Sequence, residues 1–174
     1  GSFNGMGVEF ADMNNKGHFD FVVSDTTQPW GLEESNFVFR NDTSSNEEMA
    51  KKLAAGKAPF TMTAAESGLA WSGWAWDVKM GDFLNSGNQD VVQALGFING
   101  KINRWPWMQE MATMNDDLLS NPAMWPNFQP GDDVSGHQPF AFFGKNSSGK
   151  YVNISKQLGF HDNNIPSRGI ALAD

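Results

Sequence analysis

Residues 8–23 (VEFADMNNKGHFDFVV) and 78–93 (VKMGDFLNSGNQDVVQ) are two versions of one pattern. In each, an apolar-alternating stretch runs into an aspartate (Asp12, Asp82). Five residues later comes a glycine (Gly17, Gly87), and eight after the first a second aspartate (Asp20, Asp90) opens a β-branched run. Self-similarity of this kind constrains the fold more than any single motif, because a repeated unit must stack on its neighbours to bury its apolar face. Strand, polar glycine-containing turn, strand is the signature of a hairpin.

Each hairpin is followed by two short half-apolar segments bounded by turn residues: 36–41 with 60–63, then 139–146 with 151–154. These suit outer strands, making each unit four strands. Leu69 and Leu158-Gly159 close the two units alike, and residues 168–174 resemble the entry strand of a third, reaching its first aspartate at Asp174. The chain therefore divides into a first unit over 1–76, a second over 77–167 and the start of a third over 168–174.

Asp82 follows Asp12 by 70 residues, too many for four bare strands, so insertions must decorate the units. Residues 45–56 read as a short solvated helix: Ser45 and Glu48 form a capping box, Glu47–Lys51 and Glu48–Lys52 are i,i+4 pairs, and Gly56 suits the C-terminal cap. The larger insert, 101–136, carries Trp105, Pro106 and Trp107, a stretch of helical character over 108–119, then Pro122, Trp125, Pro126 and Pro130.

The turn pattern D-x-[DN]-x-[DN]-G-x-x-D, followed by an L-F-R-N-like strand (36–41) and an F-T-x-x-A-like strand (60–64), resembles FG-GAP/VCBS repeats. More narrowly, residues 34–41, 60–69 and 74–90 are similar to the ASPIC/UnbV group, which includes cartilage acidic protein and proteins encoded near enediyne biosynthesis genes. The resemblance covers most of the chain except the inserts. It implies an all-β fold, a partial β-propeller of about two four-stranded blades plus the first strand of a third. Rings of this kind have about seven blades, so 174 residues are expected to be a fragment. It also favours a secreted, periplasmic or cell-surface setting.

In that family the turns hold calcium, a hard cation that takes six to eight oxygens. Matched position by position, the first turn offers Asp12, Asn14, the carbonyl of residue 18 and Asp20, with Lys16 in a normally acidic place. The second offers Asp82, Ser86, the carbonyl of residue 88 and Asp90, with Leu84 replacing an oxygen ligand; Asp174 would begin a third set. Both sets are degenerate, so two readings stand. Either calcium binds weakly, water completing the shell, or the aspartates and asparagines simply cap their own turns. In the first turn the Lys16 ammonium could replace the ion, pairing with Asp12 and Asp20.

Twelve basic against twenty acidic residues give a net charge of −8, which repels nucleic acid and anionic membranes and tolerates cations. The absence of cysteine excludes disulfides and thiolate chemistry. No apolar run reaches the roughly 18 residues of a membrane span, and no signal peptide opens the sequence, where Gly1-Ser2 reads as a cloning remnant. His18, His137 and His161 lack zinc-ligand spacing, and Asp116-Asp117 and Asp132-Asp133 are commoner as caps and solvated loops than as acid/base pairs. Trp74 and Trp76 belong on the entry strand as core between blades.

The expected function is a non-catalytic recognition or assembly module. Trp105, Trp107, Trp125 and Arg104 are the candidate ligand platform, for a protein, glycan or small molecule, and self-association or further blades are expected to cover the apolar faces. The alternative is an accessory or tailoring enzyme of enediyne-like biosynthesis, or a glycan-active propeller like the polysaccharide lyases. Convergence of Arg104 and the insert tryptophans on one pocket would favour it.

Overall fold

Alternating side chains on either side of each aspartate turn fold as antiparallel hairpins, and each hairpin gains two further strands. The structure, a computed structural model, describes residues 3–28, 34–113, 117, 120–160 and 165–173. The first sheet is a meander of β1 (Gly7–Ala11), β2 (Asp20–Ser24), β3 (Phe37–Asn41) and β4 (Phe60–Met62). The second repeats it with β5 (Ala75–Gly81), β6 (Asp90–Leu95), β9 (Ala141–Lys145) and β10 (Tyr151–Asn153). Between β6 and β9 the larger insert adds β7 (Ile102–Asn103) and β8 (Asp132–Asp133), which pair in parallel. The molecule is thus a β-rich fold of antiparallel sheets with small helices.

Register makes the repeat quantitative. Val8 faces Val23 and Val22 faces Val38 in the first sheet; Val78 faces Gln93 and Val92 faces Phe142 in the second. Apart from the irregularity between Ala75 and Asp77 at the start of β5, positions of one sheet therefore have counterparts in the other.

The sheets pack so that Val22 and Val38 from the first join Val78, Val91, Phe143 and Tyr151 from the second in one buried cluster, which Leu69 and Met13 complete. Burial is uneven between counterparts. Val78 and Met80 are 0% and 7% exposed, whereas their equivalents Val8 and Phe10 are 50% and 55% exposed. On that same face of the first sheet Phe21 stacks on Phe39 at 4.7 Å, Phe3 meets Phe37 at 4.8 Å, and Phe3, Val23, Phe37, Phe39 and Met62 line an open apolar groove of about 420 Å3.

The insert helix of the first unit is α1 (Asn46–Ala54), wholly solvated, with Ser45 Oγ accepting the Glu48 amide at 3.2 Å. Only half of the expected capping box forms, since the Glu48 carboxylate accepts from Ser44, not Ser45. Of the two ion pairs expected along it, Glu48–Lys52 is present at 3.6 Å. No local pattern announces α2 (Ala64–Ser67), a single turn stopped by Gly68, whose φ of 84° and contact with the Tyr151 carbonyl leave no room for a Cβ.

Residues 168–173 form no strand. The Ser167 amide donates to the Leu95 carbonyl, the Ile170 amide to Asp77 Oδ2, and the Arg168 guanidinium lies 4.5 Å over the Trp76 ring. An entry strand pairs with the strand after its own turn, so this segment instead takes its bonds from the end of the second sheet. Asp174 lies outside the described residues.

Just past β2, Asp25 is fully buried; its Oδ1 accepts the Thr26 amide at 2.6 Å, and its Oδ2 has no hydrogen-bond partner among the described residues. Burial, helped by the neighbouring Glu34, pushes its carboxyl from the ordinary 3.8 up to about 6. The folded chain thus keeps a proton that the unfolded chain releases near pH 4, so this group's contribution to stability falls as pH rises from about 4 to 6 and is flat above. Asp25→Asn is expected to flatten that slope and raise the melting temperature at neutral pH. Thermal melts from pH 4 to 8 check it, and an unchanged slope would refute it.

Candidate functional site

Two turns of equal geometry close the hairpins. In the first, Asp12 accepts the amides of Lys16 at 2.9 Å and Gly17 at 2.6 Å; in the second, Asp82 accepts those of Ser86 at 2.7 Å and Gly87 at 2.8 Å. Asn15 and Asn85 both adopt left-handed backbone (φ 57° and 51°), as do Gly17 and Gly87. Asparagine and glycine are the residues that tolerate it. The second aspartates reach back across each loop: Asp20 Oδ2 accepts the Met13 amide at 3.1 Å and Asp90 Oδ2 the Leu84 amide at 3.0 Å. Asp20 Oδ1 also takes the Asn41 amide at 2.7 Å.

These bonds set the carboxyls apart. Although burial opposes it, the Lys16 and Gly17 amides hold Asp12 below its ordinary value, while burial, with Asp82 nearby, pushes Asp90 above. The expected Lys16 pairing does not occur. Lys16 is exposed, and among the described residues its ammonium makes no ion pair. The cation comes instead from the other sheet: Lys145 Nζ donates to the Met13 carbonyl inside the first turn, with its ammonium 5.4 Å from the Tyr151 ring. Burial and the Arg40 guanidinium depress the Lys145 ammonium, against the pull of Asp20, Asp12 and Asp90. A lysine that starts inside the packed interface loses less solvation there than one on an exposed turn. Asn15 Nδ2 adds a second tie, donating to the Gly87 carbonyl at 3.3 Å.

As a metal site the first turn is therefore already supplied with an internal cation, leaving one buried acceptor without a partner among the described residues, Asn14 Oδ1. The second brings two carboxylates and the Ser86 hydroxyl, fewer than the six to eight oxygens calcium takes, and Leu84 contributes only its backbone amide, which donates to Asp90.

The insert builds the other feature. Ile98 and Val134 exchange both backbone hydrogen bonds (3.0 and 2.9 Å), and Gly136 and Gly100 allow the two segments to touch: a Cβ on Gly136 would meet the Ile98 carbonyl, one on Gly100 the Asp132 carbonyl. Asp132, expected in a solvated loop, is 1% exposed because it accepts Arg104 Nε at 2.7 Å and the Gln129 amide at 2.8 Å. The Gln129 amide, then Arg104, hold its carboxyl below the ordinary value. From β7 the chain enters α3 (Trp105–Thr113), which starts earlier than the helical stretch expected from 108; part of that stretch lies outside the described residues, as does His161.

Beside this seam opens a cleft of about 620 Å3, lined by Gln28, Gln138, Lys101, Trp105, Asp133 and His137. Trp105 Nε1 donates to Ser135 Oγ at 2.9 Å, and its ring lies 5.7 Å from Trp74, which stacks on Phe97 at 4.5 Å. His137 Nε2 lies 2.9 Å from the Gly100 carbonyl and 3.2 Å from Asp133 Oδ2. Of the four platform residues read from the sequence, only Trp105 lines this cleft. Arg104 is engaged with Asp132 and lies 5.8 Å from the Trp107 ring, Trp107 packs near Phe128, and Trp125 is exposed. The four do not converge on one pocket. Trp74, expected between blades, is buried as the backing of the cleft. Gln28, Gln138 and Lys145 carry no local motif, Asp133 is visible only as half of an acid pair that reads as solvated, and the aligned repeats mark Lys145 only as the counterpart of Asn41.

No protein-family model, no curated protein and no solved structure matches this chain.

Proposed function

We propose that the chain is a segment of an FG-GAP/VCBS-type β-propeller of the ASPIC/UnbV kind, serving as a non-catalytic assembly and recognition module. One observation carries this reading: the face that the second sheet buries against the first (Val78, Met80, Val91, Phe143) has its counterpart in the first sheet (Val8, Phe10, Phe21, Phe39) left open. A unit that buries one face of its successor is built to be buried in turn, by a further blade or by a second copy. The turns serve this scaffold by pinning each hairpin, the first with Lys145 and the second with Asp82 and Asp90 capping the loop amides, where the two carboxylates and the Ser86 hydroxyl would hold calcium only weakly, with water completing its shell. A secreted, periplasmic or cell-surface setting fits that use. The tailoring-enzyme or lyase alternative asked Arg104 to meet the insert tryptophans in one pocket, and among the described residues Arg104 is instead paired with Asp132.

Size-exclusion chromatography with light scattering tests the reading. The expected result is a concentration-dependent oligomer that Phe10→Asp, on an exposed position, reduces to monomer, with calcium raising the melting temperature over chelator and Asp82→Ala abolishing that gain. A wild-type monomer at all concentrations would refute assembly through this face; a melting temperature indifferent to calcium would refute the metal.

A further inference from the structure

We propose that the cleft beside the insert binds the uncharged pyranose ring of a saccharide. A pyranose offers an apolar C–H face ringed by hydroxyls that both donate and accept, and recognising it takes an aromatic plane, amide donors and a carboxylate acceptor. The cleft has all three. Trp105 lines it with a ring fixed in advance by Ser135 and Trp74, so little side-chain freedom is lost on binding. Gln28 is 7% exposed, yet its Nε2 has no partner among the described residues. A buried amide donor beside a cleft is costly unless something accepts from it. Gln138 spends its Oε1 on the Trp74 amide (2.8 Å), which leaves its Nε2 as a second donor. Asp133 spends Oδ2 on the Gly100 amide (3.1 Å) and His137 (3.2 Å), which leaves Oδ1 as acceptor.

Charge selects among ligands. The walls bring one ammonium, Lys101, and one carboxylate, Asp133, so neither an anionic nor a cationic ligand is favoured, and the net charge of −8 further disfavours phosphates and uronates. The volume, about 620 Å3, lies within the roughly 300–1,000 Å3 of small-molecule sites. The proposal is independent of the assembly reading, which concerns the groove on the first sheet.

The test is calorimetric titration of the Phe10→Asp variant and the wild type with cellobiose, maltose, methyl glucoside, galacturonic acid and adenosine, with tryptophan fluorescence as a second readout. The expected result is saturable binding of at least one neutral sugar in both proteins, at least tenfold weaker for galacturonic acid, with quenching. Trp105→Ala should weaken it at least tenfold. Because Trp105 also packs on Trp74, Gln28→Met, which removes the donor and keeps the volume, should do the same in a normally folded protein. No saturable neutral sugar, tighter binding of galacturonic acid or adenosine, or wild-type affinity in both variants would overturn the proposal. Loss of oligomers in Phe10→Asp with sugar binding intact would leave it standing.

Discussion

Asp20→Ala is expected to lower the melting temperature by about 10 °C, far more than the matching change in either turn's first aspartate. Asp20 is buried and accepts two amides, from Met13 at 3.1 Å and Asn41 at 2.7 Å, and lies 3.6 Å from the Arg40 guanidinium. Alanine leaves both donors without a partner in a place water reaches poorly, at about 1–3 kcal/mol each, and strips Arg40 and Lys145 of a counter-charge. A loss of about 3–4 kcal/mol at about 2–4 °C per kcal/mol for a chain of this size gives the figure. Asp82→Ala is the contrast: its amide partners, Ser86 and Gly87, are exposed and can turn to water, so about 1 kcal/mol is expected. Differential scanning calorimetry of the pair decides it; equal melting temperatures would mean that the buried aspartate does not organise the hairpin.

Gly136→Ala should be nearly as severe, and for a steric cause. The added methyl would meet the Ile98 carbonyl and come within 2.6 Å of the Asn99 nitrogen, both backbone atoms that cannot swing aside. The seam between 97–102 and 131–136 must then part, at about 3 kcal/mol or more. Gly17→Ala, whose Cβ would meet nothing but whose φ of 80° is strained, should cost about 1–2 kcal/mol. Hydrogen exchange on the Ile98 and Val134 amides reads the seam directly: both lose protection in Gly136→Ala and keep it in Gly17→Ala. Retained protection in Gly136→Ala would show that the strands close through some other freedom of the loop.

The eight strands of the two sheets were legible because each leaves a local trace: Val8, Phe10, Phe21 and Val23 alternate, and Asp12 with Gly17 marks where the chain turns. What escaped is what depends on distance along the chain. The Lys145 contact with Met13 spans 132 residues, and composition around Lys145 says only that it ends a strand. Lys16 looked like the cation because it sits in the ligand position, yet an exposed ammonium gains little from pairing. Asp132 read as solvated because its partner, Arg104, lies 28 residues earlier. The aromatic platform was read as one group because Trp105, Trp107 and Trp125 share an insert; the helix and the 3-10 turn at Pro122–Met124 send them to different surroundings.

The reach of Lys145 into the first turn also bears on how the molecule comes apart. Stacked repeats can fray from an end, each unit opening on its own schedule with only nearest-neighbour contacts to lose. Here the second sheet's last long strand supplies the charge that the first unit's loop holds, and Asn15 grips the opposite loop in return. Loosening either hairpin removes a bond from the other, so the two repeats are expected to open together as one cooperative unit.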